Sequence, residues 1–104
     1  MANRQLKPTI IDEDTAAHLA ELFSAFGDAS RVRLISALTV REMNVTALAE
    51  ATGLSASAVS HQLRGLRQMR LVRARKDGRQ VFYALDDDHV VELYQRGLDH
   101  VQHG

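Results

Sequence analysis

Four of the most metal-capable side chains of this 104-residue chain fall in two pairs within its last eighteen residues: Asp87 with His89, and His100 with His103. His100 and His103 stand three apart, so on a helix they meet on adjacent turns of one face, a spacing suited to a single metal ion. Asp87 and His89 sit where the same helix begins, a place where Asp87 could also serve simply as an N-cap beside Asp86 and Asp88. His89 and His100 are eleven residues apart, close to three full turns, and therefore share a face. At 1.5 Å per residue they lie about 16.5 Å apart along the axis, too far to hold one ion together. The face between them carries Leu93 and, less squarely, Arg96 and Gly97; Leu93 and the small Gly97 permit close packing. If two copies pair antiparallel about a two-fold axis, the Asp87/His89 end of one meets the His100/His103 end of the other. The dimer then has two equivalent sites, each with one carboxylate and three imidazoles.

That donor set is intermediate in hardness. It suits Zn²⁺ as a closed tetrahedral site, is compatible with Co²⁺, and falls short of the ligand number Ni²⁺ prefers. The chain has no cysteine, which excludes a disulfide, a thiolate site and a thiol switch, and argues against Cu(I), Cd²⁺, Pb²⁺ and arsenite. Four protein ligands leave no open position for a catalytic water, and no general base is placed beside them. The chain is therefore expected not to be an enzyme. His18, near Leu19 and Leu22, reads as a surface or packed histidine.

A second set of residues suits nucleic acid. The net charge is zero, yet residues 61–80 carry a local charge of +6 and residues 81–104 one of −4. Twenty residues at +6 form a candidate phosphate-facing stripe, although mixed charge is ordinary on any surface. Around it lie Ser55, Ser57, Ser60, His61, Gln62 and Arg64, and then Arg75, Lys76 and Arg79. Gln62 or Arg64 could make a bidentate base contact, whereas the serines suit bases or phosphates. Arg75, Lys76 and Arg79 suit phosphate or the minor groove. For Ser60 and His61 the plain alternative is that each only solvates a helix.

These residues need elements to hold them. The length fits one domain over 1–104, and a chain this short buries only roughly 60–70% of its extended surface, so a partner copy would help. Pro8 and the lack of period predict an extended arm over 1–11. Apolar spacing from Asp14 predicts a helix ended by Gly27, and Asp28 or Ser30 can cap the next, to about Thr39. Thr46 is the expected cap of a short helix over 47–51. The run Thr52-Gly53-Leu54 makes a tight turn, and Ser55 or Ser57 caps a third segment with Val59, Leu63, Leu66 and Met69 on its inner face. Residues 46–68 thus read as a helix-turn-helix, whose second helix enters the major groove. Residues 71–85 read as two strands, 71–75 and 80–85, around an Asp-Gly turn, making a β-hairpin wing. A final helix is expected over 87–101. The fold class is mainly α with a hairpin wing, a winged helix-turn-helix working as a homodimer on double-stranded operator DNA. No apolar run approaches the ~20 residues of a membrane span, and MANRQLKPTI does not resemble a secretory leader, so a cytoplasmic location is expected.

From about Glu21 to His103 the chain resembles the ArsR/SmtB family of bacterial metal-responsive repressors, and its zinc-sensing members in particular. The resemblance is carried by Phe26-Gly27-Asp28-Ala29-Ser30-Arg31-Val32-Arg33-Leu34-Ile35, where Ala29 replaces the usual proline. It continues through Leu54-Ser55-Ala56-Ser57-Ala58-Val59-Ser60-His61-Gln62-Leu63, the wing ending Val81-Phe82-Tyr83-Ala84-Leu85, and the Asp-x-His and His-x-x-His pairs. It implies a site bridging the dimer, with Asp87 and His89 from one subunit and His100 and His103 of the partner subunit. A second family site uses thiols before the reading helix; here that place reads Asn44-Val45-Thr46-Ala47-Leu48, so that site is absent. Nickel and cobalt sensors of the family recruit further histidines from the chain ends, and this sequence has none before His18 and stops at Gly104. The resemblance further implies that the metal-free dimer represses a metal efflux or sequestration gene and that metal releases it. In that picture His100 donates its second N–H to a backbone carbonyl near Arg70. Three other accounts stand beside it: a Ni²⁺- or Co²⁺-responsive repressor, a winged-helix regulator with a non-metal signal, and a zinc-carrying dimer that does not bind DNA.

Overall fold

The computed structural model describes residues 9–104, so most of the expected arm lies outside the described residues, and 9–12 carry no regular structure. Five helices and one hairpin follow: α1 (Glu13–Ala25), α2 (Ala29–Val40), α3 (Val45–Thr52), α4 (Ala56–Gln68), β1 (Val72–Asp77), β2 (Gln80–Leu85) and α5 (Asp88–His103). The architecture is mainly helical with an antiparallel two-stranded wing. None of the described helices is long and apolar enough to cross a membrane.

Each helix starts where a short polar side chain satisfies the free N–H groups of its first turn. Asp12, Asp28, Asn44, Ser55 and Asp87 cap α1 to α5 in turn. The third cap departs from expectation. Asn44, and not Thr46, accepts the Ala47 N–H at 2.9 Å, so α3 begins two residues earlier than the spacing suggests. α3 ends at Gly53, whose φ of +76° only glycine adopts cheaply. Behind that turn the buried Thr52 hydroxyl donates to the Leu48 carbonyl and accepts from the Leu54 N–H.

Leu34, Ile35, Leu48, Val59, Leu63 and Leu66 form the heart of the core, joining α2, α3 and α4, with Leu71, Val72 and Leu85 closing it under the wing. α4 places Val59, Leu63 and Leu66 inward, which leaves its opposite face to solvent. In the hairpin, Val72 pairs with Leu85 and Asp77 with Gln80, so β1 runs two residues beyond the expected Arg75. Only Gly78 and Arg79 are left in the loop, with Gly78 at φ +63° as a two-residue hairpin requires.

α1 and α5 are attached differently. In α1 only Ala25 is buried, while Leu19 and Phe23 are 40% and 50% exposed. α5 is held by its first half, where Val90 is buried and the Tyr94 hydroxyl donates to Ser36 Oγ at 3.0 Å. Every residue from Gln95 onward is exposed, including Leu98 and Val101.

Candidate nucleic-acid interface and effector helix

The outer face of α4 carries Ser57, Ser60, His61 and Arg64, all exposed, and continues to Arg67. Ser55 is exposed as well, but its hydroxyl caps the helix by accepting from the Ala58 N–H at 3.1 Å. Gln62 lies on the flank and not on the outer face. Its Oε1 accepts from Arg31 Nε at 2.9 Å, and the side chain is half-buried against α2. Arg64 therefore has the freer position of the two bidentate candidates.

On the wing the three cations are placed unequally. Lys76 and Arg79 are exposed at the tip, and neither pairs with a carboxylate among the described residues. Arg75 is engaged within the chain. It donates from Nη2 and Nε to the two oxygens of Glu42 at 2.6 and 3.1 Å, lies 3.7 Å from Asp77, and covers the Phe82 ring at 5.2 Å. The hydrogen bonds from Arg75, more than its charge, hold the Glu42 carboxyl below the usual carboxylate range, and the same contact raises Arg75. The next two residues also grip the hairpin. Met43 and Tyr83 exchange backbone hydrogen bonds at 2.8 and 3.0 Å, and Asn44 Nδ2 donates to Gln80 Oε1 at 2.7 Å. Residues 42–44 are thus a clasp that aims the wing, and charge or hydropathy gives no sign of it because each contact is more than thirty residues away in sequence.

The four candidate ligands are all exposed, His89, His100 and His103 on α5 and Asp87 at its N-cap. Asp87 Oδ1 caps the helix, accepting from the His89 and Val90 N–H groups at 2.9 and 3.2 Å. Capping uses one carboxylate oxygen and leaves the other, so the cap and ligand roles are compatible. The cap also holds His89 Nδ1 3.7 Å from that carboxylate. His100 and His103 lie in the last turn, beyond the part of α5 that packs on the rest of the described chain. Among the described residues of the single chain, no three His, Asp or Glu side chains gather as a metal site. Beside this helix runs an apolar groove lined by Phe23, Phe26, Leu93, Gly97, Leu98 and Val101.

Arg70 closes α4. Its φ is +60°, the only left-handed value among described non-glycine residues. The N–H of Arg70 donates to the Arg67 carbonyl and that of Leu71 to the Leu66 carbonyl, the paired bonds of a Schellman ending. The Arg70 carbonyl itself accepts no backbone hydrogen bond from the described residues.

The comparisons agree on the class of protein. The family model for bacterial regulatory proteins of the arsR family matches residues 28–74, from the α2 cap into β1. A transcriptional repressor SmtB homolog of Synechocystis sp. is 52% identical over 99 residues, covering 95% of this chain and 75% of that protein. The HTH-type transcriptional regulator NmtR of Mycobacterium tuberculosis is 40% identical over 101 residues, covering 97% and 82%. The crystal structure of the antimony-specific transcriptional repressor AntR superposes with a TM-score of 0.82 at 31% identity, covering 96% of each chain.

Proposed function

The chain belongs to the ArsR family of DNA-binding bacterial transcriptional regulators, not enzymes, and from that premise we propose a cytoplasmic, Zn²⁺-responsive repressor that works as a homodimer. The observation that carries the effector is the layout of α5. Two ligand pairs stand exposed at its opposite ends, and the distal half of the helix bears Leu98 and Val101, which are 38% and 81% exposed among the described residues. A second copy packed along α1 and α5 covers Leu19, Phe23, Leu98 and Val101. It also brings Asp87 and His89 of one protomer to His100 and His103 of the partner subunit.

AntR shows that this fold also serves an antimony-specific repressor, so the choice of metal rests on the donors and not on the architecture. One carboxylate and three imidazoles fit Zn²⁺, and the lack of thiols removes the soft-metal alternatives. Asp87 and His89 of one protomer, with His100 and His103 of the partner subunit, would hold the ion, which when bound would supply a cross-link between the two α5 helices.

The chain's own residues do the rest. α4 presents Ser57, Ser60, His61 and Arg64 to the major groove, with Lys76 and Arg79 of the wing over flanking phosphate. His100, held through one ring nitrogen, offers its other N–H to the Arg70 carbonyl at the end of α4, which accepts no backbone hydrogen bond from the described residues. That bond favours a dimer opening that fits the operator poorly, and a bias of a few kcal/mol suffices to empty the site.

Calorimetric titration of the metal-free dimer with Zn²⁺ and Ni²⁺, followed by anisotropy on operator duplex, tests the reading. One Zn²⁺ per subunit with loss of operator affinity supports it. Absence of tight Zn²⁺ binding rejects the metal assignment, and tight binding without release rejects the switch. His100→Asn is expected to keep operator binding and lose Zn²⁺-driven release.

A further inference from the structure

Arg31 joins three helices, α1, α2 and the more distant α4. From the first turn of α2 its Nε donates to Gln62 Oε1 on α4, and its Nη1 donates to the Ser24 carbonyl in the last turn of α1, both at 2.9 Å. An arginine can only donate, so the atom of Gln62 facing it must be the oxygen, and the orientation of that amide is fixed by chemistry. The base of the fork is anchored too. Asp28 Oδ2 accepts the Arg31 backbone N–H at 3.1 Å and the Ser30 hydroxyl at 2.8 Å. A planar guanidinium with two arms engaged and its backbone pinned is a stiff strut.

The strut matters because of what it connects. Beyond the Gly27 turn, α1 is lightly packed on its own protomer, with Ala25 its one buried residue. Its Leu19 and Phe23 point outward beside Ser24. α4 is held from below by Val59, Leu63 and Leu66. The Arg31–Gln62 bond adds a tie on its flank, and Arg31 carries that tie on to α1. We infer that Arg31 is a positioning residue that fixes the reading helix against α1, and so sets the separation of the two reading helices in the dimer. The inference rests on the proposed dimer reading DNA through α4. It assigns Gln62 to the strut and leaves base contact to its neighbours on the outer face.

Two reading helices must meet half-sites about one helical turn apart, so an error in tilt appears as a loss of spacing preference. The test uses duplexes selected by the wild-type dimer from a randomised library, with versions carrying one or two base pairs inserted between the half-sites. Wild type is expected to discriminate against the insertions by roughly tenfold or more. Arg31→Ala and Gln62→Met are each expected to flatten that discrimination while leaving dimerisation, binding to random duplex and its salt dependence unchanged. The double variant is expected to be no worse than either single one. Gln62→Glu keeps an acceptor for Arg31 Nε and is expected to retain the spacing preference.

Retained discrimination in Gln62→Met overturns the inference, even where Arg31→Ala proves too unstable to assay. So does a uniform loss on all duplexes in Arg31→Ala with a shallower salt dependence, which marks a phosphate contact. Loss of spacing preference in Gln62→Glu overturns it as well, by showing that the amide donors read DNA. A wild-type dimer with no spacing preference refutes the paired reading helices themselves, an outcome visible before any variant is made.

Discussion

Arg70 carries a conformational cost where α4 ends, at the carbonyl that the proposed switch uses. A side chain at φ +60° crowds its own backbone, and glycine in that place relieves about 1 kcal/mol. Arg70→Gly is therefore expected to raise thermal stability by that amount while keeping the backbone carbonyl that the proposed switch uses. Operator affinity should fall slightly, in step with the loss of one cation from the basic stretch, and Zn²⁺-driven release should persist. A release lost in Arg70→Gly would assign the coupling to the side chain instead. The placement of the proposed ligands at the two ends of one helix was legible from sequence, because their spacing matches the helical period. The fate of the cations was not. Arg75 and Arg79 look alike in a charge count, yet Arg75 is committed to Glu42 and Phe82 while Arg79 stands free at the wing tip.

The elements were readable in kind and less so at their edges. Thr46 sits directly before the apolar run of α3 and has the chemistry of a cap, but Asn44 fills the role because its side chain reaches both Ala47 N–H and Gln80. Asn44→Ala should cost about 1 kcal/mol in chemical denaturation, and Thr46→Ala much less. Equal losses would restore Thr46 as the functional start of the helix. The wing clasp makes a pH prediction. Glu42 has its folded-state carboxyl lowered from 4.5, first by the hydrogen bonds from Arg75 and then by its charge. A depressed carboxyl contributes stability above its unfolded value, and that contribution is lost as pH falls through the lower folded value. Thermal unfolding should therefore show wild type exceeding Glu42→Gln at neutral pH, with the gap closing below 4.5 and shrinking in high salt, since the pair is partly exposed. A gap that survives acid would mean that packing, not charge, holds the clasp.

At the scale of the whole molecule, one fact was nearly complete in the sequence: a separation of about 16.5 Å along a helix forbids a shared ion within one chain. The structure adds that the distal half of α5 is exposed through its last residue, apolar side chains included, and that a groove lined by α1 and α5 lies alongside. What sequence spacing left out was α1, because Leu19 and Phe23 fit a helical stripe equally well as core or as contact surface. These observations separate sharing between chains from assembly within a chain by a mixed-dimer experiment. One protomer carries Asp87→Ala and His89→Ala; the other carries His100→Ala and His103→Ala. Each variant alone forms dimers in which every site lacks half its donors, so neither should bind Zn²⁺ tightly. In the mixed dimer, the site formed by the intact Asp87/His89 end of one protomer and the intact His100/His103 end of the other is complete, and its twin has no donors left. Calorimetry on mixed dimers purified with two affinity tags should recover native affinity at half the wild-type stoichiometry. If the donors served their own chain, mixing would restore nothing, because no protomer in the mixture keeps all four.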